Sequence, residues 1–175
     1  MQRRQFIQLG ALGLIGLHFP EFVFGTTLKP FTLPDDLKTN LLLDFSGLPK
    51  FSQFKPEFVK PAVDFLLAQC REVTTTVSTQ EKITWDNFFL PLAEINDKLD
   101  RAWAVVNHLK SVKNTPELRK TYDESRKNIT EYSTWVGQNP DLYKSYVKLK
   151  ESADFAKFSI AQQKSVEDAL LDFKL

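Results

Sequence analysis

The chain has 175 residues, 42% of them hydrophobic and 13% aromatic, and its 23 Lys+Arg against 22 Asp+Glu leave a net charge of +1. That is enough apolar material for one domain with a core, and it excludes both a disordered composition and the basic stripe of an electrostatic nucleic-acid partner. One cysteine, Cys70, excludes an intramolecular disulfide and a cysteine-rich zinc site; His18 and His108 are too far apart to form a His-Glu-x-x-His helix, whose two imidazoles need i, i+4 spacing to share a face.

Residues 1–25 form a separate object. A basic pair, Arg3 and Arg4, precedes an apolar stretch from Phe6 to Phe19 and the breaker Pro20. This is the order of an export signal. Gln8, Gly10, Gly13 and Gly16 interrupt the stretch, which is short beside the roughly 20 apolar residues of a membrane span. The two arginines followed by Gln5-Phe6-Ile7 resemble a twin-arginine signature, although Gln2 stands where Ser or Thr is usual and no Ala-x-Ala cleavage site follows. The expectation is an exported or periplasmic protein; the alternative is an uncleaved apolar tail, the only part of the chain that would touch a membrane.

Residues 26–55 read as an extended linker rich in Pro and Phe. Phe31, Phe45, Phe51 and Phe54 are expected to pin it onto a helical body. Leu41 to Phe45 reads as a strand or a tucked segment, and Ser46-Gly47-Leu48-Pro49 as a turn.

From residue 56 to 175 the apolar period becomes helical. In the first helix Phe58, Ala62, Phe65, Leu66, Val73 and Val77 share a face, Pro56 suits the first turn, and Pro61 should bend or delay the start. Cys70 beside that face reads as a small buried hydrophobe. Thr84 caps a second helix over roughly 85–112. Its face runs Phe88, Leu92, Ile95, Leu99, Ala102, Val106 and Leu109, with a kink expected at Pro91 and a staple role at Trp85. Thr115-Pro116-Glu117 starts a third helix with Leu118, Tyr122, Ile129, Tyr132 and Val136 inward, and Gly137 suits its C-cap. Asn139-Pro140-Asp141 starts a fourth, with Leu142, Tyr146 and Leu149 inward. Ser159-Ile160-Ala161-Gln162 is a capping box for a fifth, whose face continues through Ile160, Val166, Leu170 and Phe173. The fold class is therefore all-α: an antiparallel bundle or hairpin array of about five amphipathic helices.

Chemistry-bearing patterns are sparse. Glu94, Asp97, Lys98 and Arg101 alternate in sign at helical spacing, as a solvated face does. There is no Gly-rich phosphate loop and no Gly-x-Ser-x-Gly elbow. Trp85, Trp103 and Trp135 read as packing residues. No catalytic residue, metal ligand or cofactor site is expected.

Several strings carry a resemblance. They are Thr84-Trp85-Asp86-Asn87, Pro91-Leu92-Ala93-Glu94, the run from Val106 through His108 to Arg119, and Glu131-Tyr132-Ser133-Thr134-Trp135-Val136-Gly137-Gln138. Leu48-Pro49-Lys50-Phe51 with Pro56-Glu57 adds to them. Together they resemble the N-terminal region of the oligopeptidase A, thimet oligopeptidase and neurolysin family of zinc metallopeptidases, over about residues 45–175. The resemblance implies a helical, non-catalytic part that walls the substrate channel of an enzyme degrading short peptides. The family's zinc site lies downstream of this region, so no ligand or general base carries over and the chain is expected to be truncated, with the catalytic part absent and no activity of its own. It also implies a cytoplasmic location as the alternative to export. The other readings are a stand-alone helical module binding peptides or proteins, and one half of a split peptidase whose zinc half is separately encoded. A piece of a larger design should also leave apolar surface open to self-association.

Overall fold

A computed structural model describes residues 28–173. Among these residues the regular elements are all helical: α1 (Val59–Ser78), α2 (Leu90–Val112), α3 (Pro116–Gly137), α4 (Pro140–Glu151) and α5 (Ile160–Asp172), with short 3-10 turns between and before them. The export-signal reading of residues 1–25 lies outside the described residues.

α1 is the shared wall of the molecule and packs on α2, α3 and α4, while α5 packs on α4. Two apolar clusters result. The first joins Val59, Val63, Leu66 and Cys70 of α1 to Ile95, Leu99, Val106 and Leu109 of α2 and to Leu118 and Tyr132 of α3. The second joins Val77, at the other end of α1, to Phe88, Leu92, Leu142, Leu149 and Val166. The end of α1 therefore meets the start of α2, the antiparallel arrangement that their short connection favours.

Helix starts follow local chemistry. The side chains of Thr115, Asn139 and Ser159 accept backbone N–H groups at the N-termini of α3, α4 and α5, and Ser159 with Gln162 completes the capping box. Pro56 opens a 3-10 turn and the α-helix begins only at Val59, so Pro61 falls in the first turn, where no N–H is needed. The kink expected at Pro91 within a helix over 85–112 gives way to a change of helix type, with Pro91 in the first turn of α2. Residues Trp85–Phe89 form a π-helical turn capped by Thr84 and Asn87, and the Leu90 N–H closes it on the Trp85 carbonyl. Proline cannot donate to the carbonyl four residues before it, that of Asn87. The Gln80 Nε2 donates to this carbonyl instead, at 3.0 Å.

Four expectations need correction. Ile160 does not continue the inner face of α5; at 87% exposure it points outward from the first turn, and Val166 is the buried residue of that helix. Gly137 is the last helical residue of α3 and not a left-handed cap; the Gln138 N–H closes on the Thr134 and Val136 carbonyls instead. The staple positions flanking the Thr84 cap are filled by Ile83 and Phe88, both in the second cluster, whereas Trp85 stacks on Phe89 with ring centroids 4.1 Å apart. Residues 28–55 are not simply extended: 3-10 turns occur at Asp35–Leu37, Leu41–Leu43 and Phe51–Gln53, and the second of these tucks Leu42 and Leu43 into the first cluster rather than forming a strand. Asn40 anchors this turn by accepting the Leu42 N–H and donating to the Phe58 carbonyl. Phe31 lies edge-on to Phe45 and Phe65, and the Arg101 guanidinium sits 5.2 Å from the Phe45 ring while donating to its carbonyl.

Candidate functional site

Two adjoining openings in the described surface lie along the seam between the two clusters. A cavity of about 170 Å³ is lined by Thr74 of α1, Leu92 and Asn96 of α2, Tyr132 and Val136 of α3, Leu142 and Tyr146 of α4, and Asp172 of α5. A second, of about 430 Å³, shares Asn96, Tyr132, Val136, Gly137 and Asp172 with it and extends to Asp100 and Trp103. Together they form one cleft to which all five helices contribute. Its origin is the turn from α3 to α4, where the chain switches clusters and leaves Val136 touching both.

The polar groups of the cleft are held in place. The Asn96 Nδ2 donates to the Leu92 carbonyl at 2.8 Å, and the Tyr132 hydroxyl donates to Asn96 Oδ1 at 3.2 Å. Burial, and then the neighbouring Cys70 thiol, push the Tyr132 hydroxyl well above its ordinary pKa. Burial, and then the charge of Asp172, push Tyr146 up to about 12. Both phenols are therefore neutral donors at pH 7. Burial, followed by its neighbour Asp97, raises the Asp100 carboxyl. Thr74 is 1% exposed, and its Oγ1 has no hydrogen-bond partner.

The residues singled out from sequence lie elsewhere or serve packing. His108 is exposed, its ring 5.3 Å from that of Phe51. Cys70 is fully buried, its thiol donates to the Ile95 carbonyl at 3.8 Å, and burial raises its pKa to about 12. A thiol held protonated there is not a nucleophile at neutral pH. Trp103 stacks on Tyr122 at 4.9 Å, and the Arg71 guanidinium lies 4.8 Å from the Trp135 ring. Asp97 pairs with Arg101 along α2. The cleft was missed because no two of its polar residues share a local motif; the one available signal was Asn96 and Asp100, polar residues flanking the apolar face of α2.

Against known proteins, residues 63–175 match the family described as Neurolysin/Thimet oligopeptidase, N-terminal domain. The chain belongs to this family. Relatives of this oligopeptidase N-terminal domain include oligopeptidase A of Haemophilus influenzae, 53% identical over 137 residues, and that of Escherichia coli, 47% identical over 138 residues; each alignment covers 78% of this chain and 20% of the relative. The probable cytosolic oligopeptidase A of Arabidopsis thaliana is 32% identical over 133 residues, 76% of this chain and 19% of that protein. The chain thus spans about a fifth of the length of the curated relatives it matches.

The described part of this oligopeptidase N-terminal domain does not gather the donors of a metallopeptidase zinc site. Among the described residues no three His, Cys, Asp or Glu side chains gather as a metal would require, and the one histidine faces a phenylalanine ring. No described helix is long and apolar enough to cross a membrane.

Proposed function

We propose that this chain is the non-catalytic N-terminal domain of a zinc metallo-oligopeptidase, forming part of the wall around the channel in which short peptides are cut. The observation that carries this is the high identity to oligopeptidase A, together with a described fold whose regular elements are all helical and pack around one shared helix. The reading assigns no chemistry to the chain itself. The zinc half belongs to a further stretch of polypeptide, which is also the chain's natural partner. Export through residues 1–25 is the accompanying proposal, supported by the Arg3-Arg4 pair and the apolar stretch behind it.

The test is turnover of a short fluorogenic peptide by the purified chain, alone and mixed with the part of Escherichia coli oligopeptidase A that follows the matched region. The chain alone should cleave nothing, and the mixture should regain chelator-sensitive cleavage above that of the catalytic part. Chelator-sensitive cleavage by the chain alone, or no gain on mixing, overturns the reading. For export, residues 1–30 fused to a folded reporter should reach the periplasm and lose this on Arg3→Lys with Arg4→Lys; indifference to the double substitution removes the twin-arginine proposal.

A further inference from the structure

The larger opening of the cleft is a groove between α2 and α3. α2 lines it with Asn96, Leu99, Asp100 and Trp103, and α3 with Ile129, Tyr132, Ser133 and Val136. Each set follows i, i+3, i+4, i+7 spacing, so each helix presents two turns of a single face. Leu99 and Tyr132 are buried, Trp103, Ile129 and Val136 are half-buried, and Asp100 and Ser133 are exposed, the gradient from floor to rim of an open trough of about 430 Å³. α1 packs against both helices. Two helices backed in this way take a further helix laid between them, whose own i, i+3 or i+4, and i+7 side chains fill the space between the two faces.

The position of α5 points to the occupant. Both openings share Asn96, Val136, Gly137 and Asp172, whereas only the larger reaches Trp103 and Ile129. α5 therefore ends, at Asp172, beside one mouth of the groove. Gly137 sits at the same mouth, with open space where a side chain would begin. The match to the N-terminal domain family runs through residue 175, and the oligopeptidase A relatives are about five times as long as the aligned stretch, so in them further polypeptide follows α5. Resting on the reading of this chain as the N-terminal domain of such a peptidase, we propose that the groove seats an amphipathic helix of the polypeptide that follows this domain in oligopeptidase A. The helix enters beside Gly137 and Asp172 and runs parallel to α2 towards Trp103 and Ile129. Its apolar seam meets Leu99, Trp103, Ile129 and Val136.

The experiment titrates the full chain with a synthetic peptide, the stretch of Escherichia coli oligopeptidase A just beyond its aligned region, about 40 residues so as to hold a connection and one helix. Backbone amide shifts are followed by NMR. Saturable shifts centred on Leu99, Trp103, Ile129 and Val136 are expected. A nitroxide placed N-terminal to the peptide's apolar stretch should broaden Gly137 more than Trp103; the reverse pattern overturns the proposed direction. Gly137→Leu obstructs the mouth and Ser133→Arg the rim. Both change exposed positions, so the urea midpoint should hold or, for Gly137→Leu inside a helix, rise. Each should weaken binding roughly tenfold, as overfilling of a packed contact does. Mixing with the catalytic part separates this proposal from the reading beneath it. Cleavage regained equally by the original chain and by both variants overturns the groove proposal and leaves the peptidase reading in place. Peptide binding that both variants lose, with no cleavage regained, overturns the peptidase reading and supports the groove's occupant. Unsaturable shifts with the peptide overturn the proposal, and so do shifts at Trp103 and Ile129 that follow the concentration of the chain alone, since these would seat a second copy there.

Discussion

The hydrogen bond from Gln80 to the Asn87 carbonyl yields the sharpest test of how α2 begins. In an ordinary helix that carbonyl would accept the N–H of residue 91, but residue 91 is proline, so the connecting loop supplies the donor from seven residues upstream. Both residues are partly buried, and water offers only an incomplete substitute. Gln80→Ala should therefore cost about 1 kcal/mol, the usual net value of such a bond plus part of the cost of a stranded acceptor. In a chain of this size that is a fall of roughly 2–4 °C in Tm. The informative comparison is the same substitution in a Pro91→Ala background. Alanine there restores an N–H able to reach the Asn87 carbonyl, so the Gln80 side chain becomes redundant and its removal should cost less than about 0.3 kcal/mol, leaving a coupling of at least 0.5 kcal/mol by the rule for groups sharing one partner. Urea unfolding followed by tryptophan fluorescence reads all four corners of the cycle, with Trp85 reporting from the π-turn itself. Equal costs of Gln80→Ala in the two backgrounds would refute the reasoning, since the bond would then have nothing to do with the missing proline donor.

Other outcomes follow from the same structure. Leu149→Ala empties a fully buried site in the second cluster and should cost about 2–5 kcal/mol in urea unfolding, whereas Ile160→Ala, at an exposed position on α5, should stay within about 0.5 kcal/mol; comparable costs would restore Ile160 to the core. Asn139→Ala removes a side chain that accepts from both Asp141 and Leu142 and should cost about 1 kcal/mol; an unchanged midpoint would show that the α4 cap adds nothing. Stability should fall as pH rises past 9, because Cys70, with a pKa near 9 when exposed and about 12 when folded, ionises first in the unfolded chain. Tyr132 and Tyr146, also raised by burial, extend the loss above pH 10. Urea midpoints from pH 7 to 11 check this, and Cys70→Ala should flatten only the first part of the decline; a midpoint constant to pH 11 would contradict the burial of all three groups. Alkylation of Cys70 should proceed only on unfolding, at the same urea concentration as the fluorescence change.

What was legible in the sequence divides by range. The caps at Thr84, Thr115, Asn139 and Ser159 satisfy backbone groups within three residues, so their residue types announce them, and the apolar faces of α1 to α4 follow from periodicity. Ile160 was misplaced because the first turn of a helix projects beyond its neighbours, and a periodic pattern alone does not tell where the partner helix ends. Pro91 showed that something must yield in α2, but not that Gln80, across a loop, would mend it. The Leu41–Leu43 turn depended on Asn40 reaching Phe58, eighteen residues on. The cleft was the least legible part: Thr74 reads as one of three consecutive threonines, and only the docking of five helices brings it near Asn96, Tyr132 and Asp172. Family resemblance reached further than any of these local arguments, yet it concerns ancestry and is silent on an open cleft.

The division of the apolar interior into two clusters along one helix has a dynamic consequence. α5 rests chiefly on α4, and its single fully buried residue is Val166. The α4–α5 pair can then detach while α1, α2 and α3 keep their own cluster, so amide exchange should proceed in two steps rather than one, with α5 losing protection first and the middle of α1 last. Val77, Phe88 and Leu92 would be wetted in that partly open form. The molecule thus carries a built-in order of opening, with the seam as its hinge line and α1 as the last element to yield.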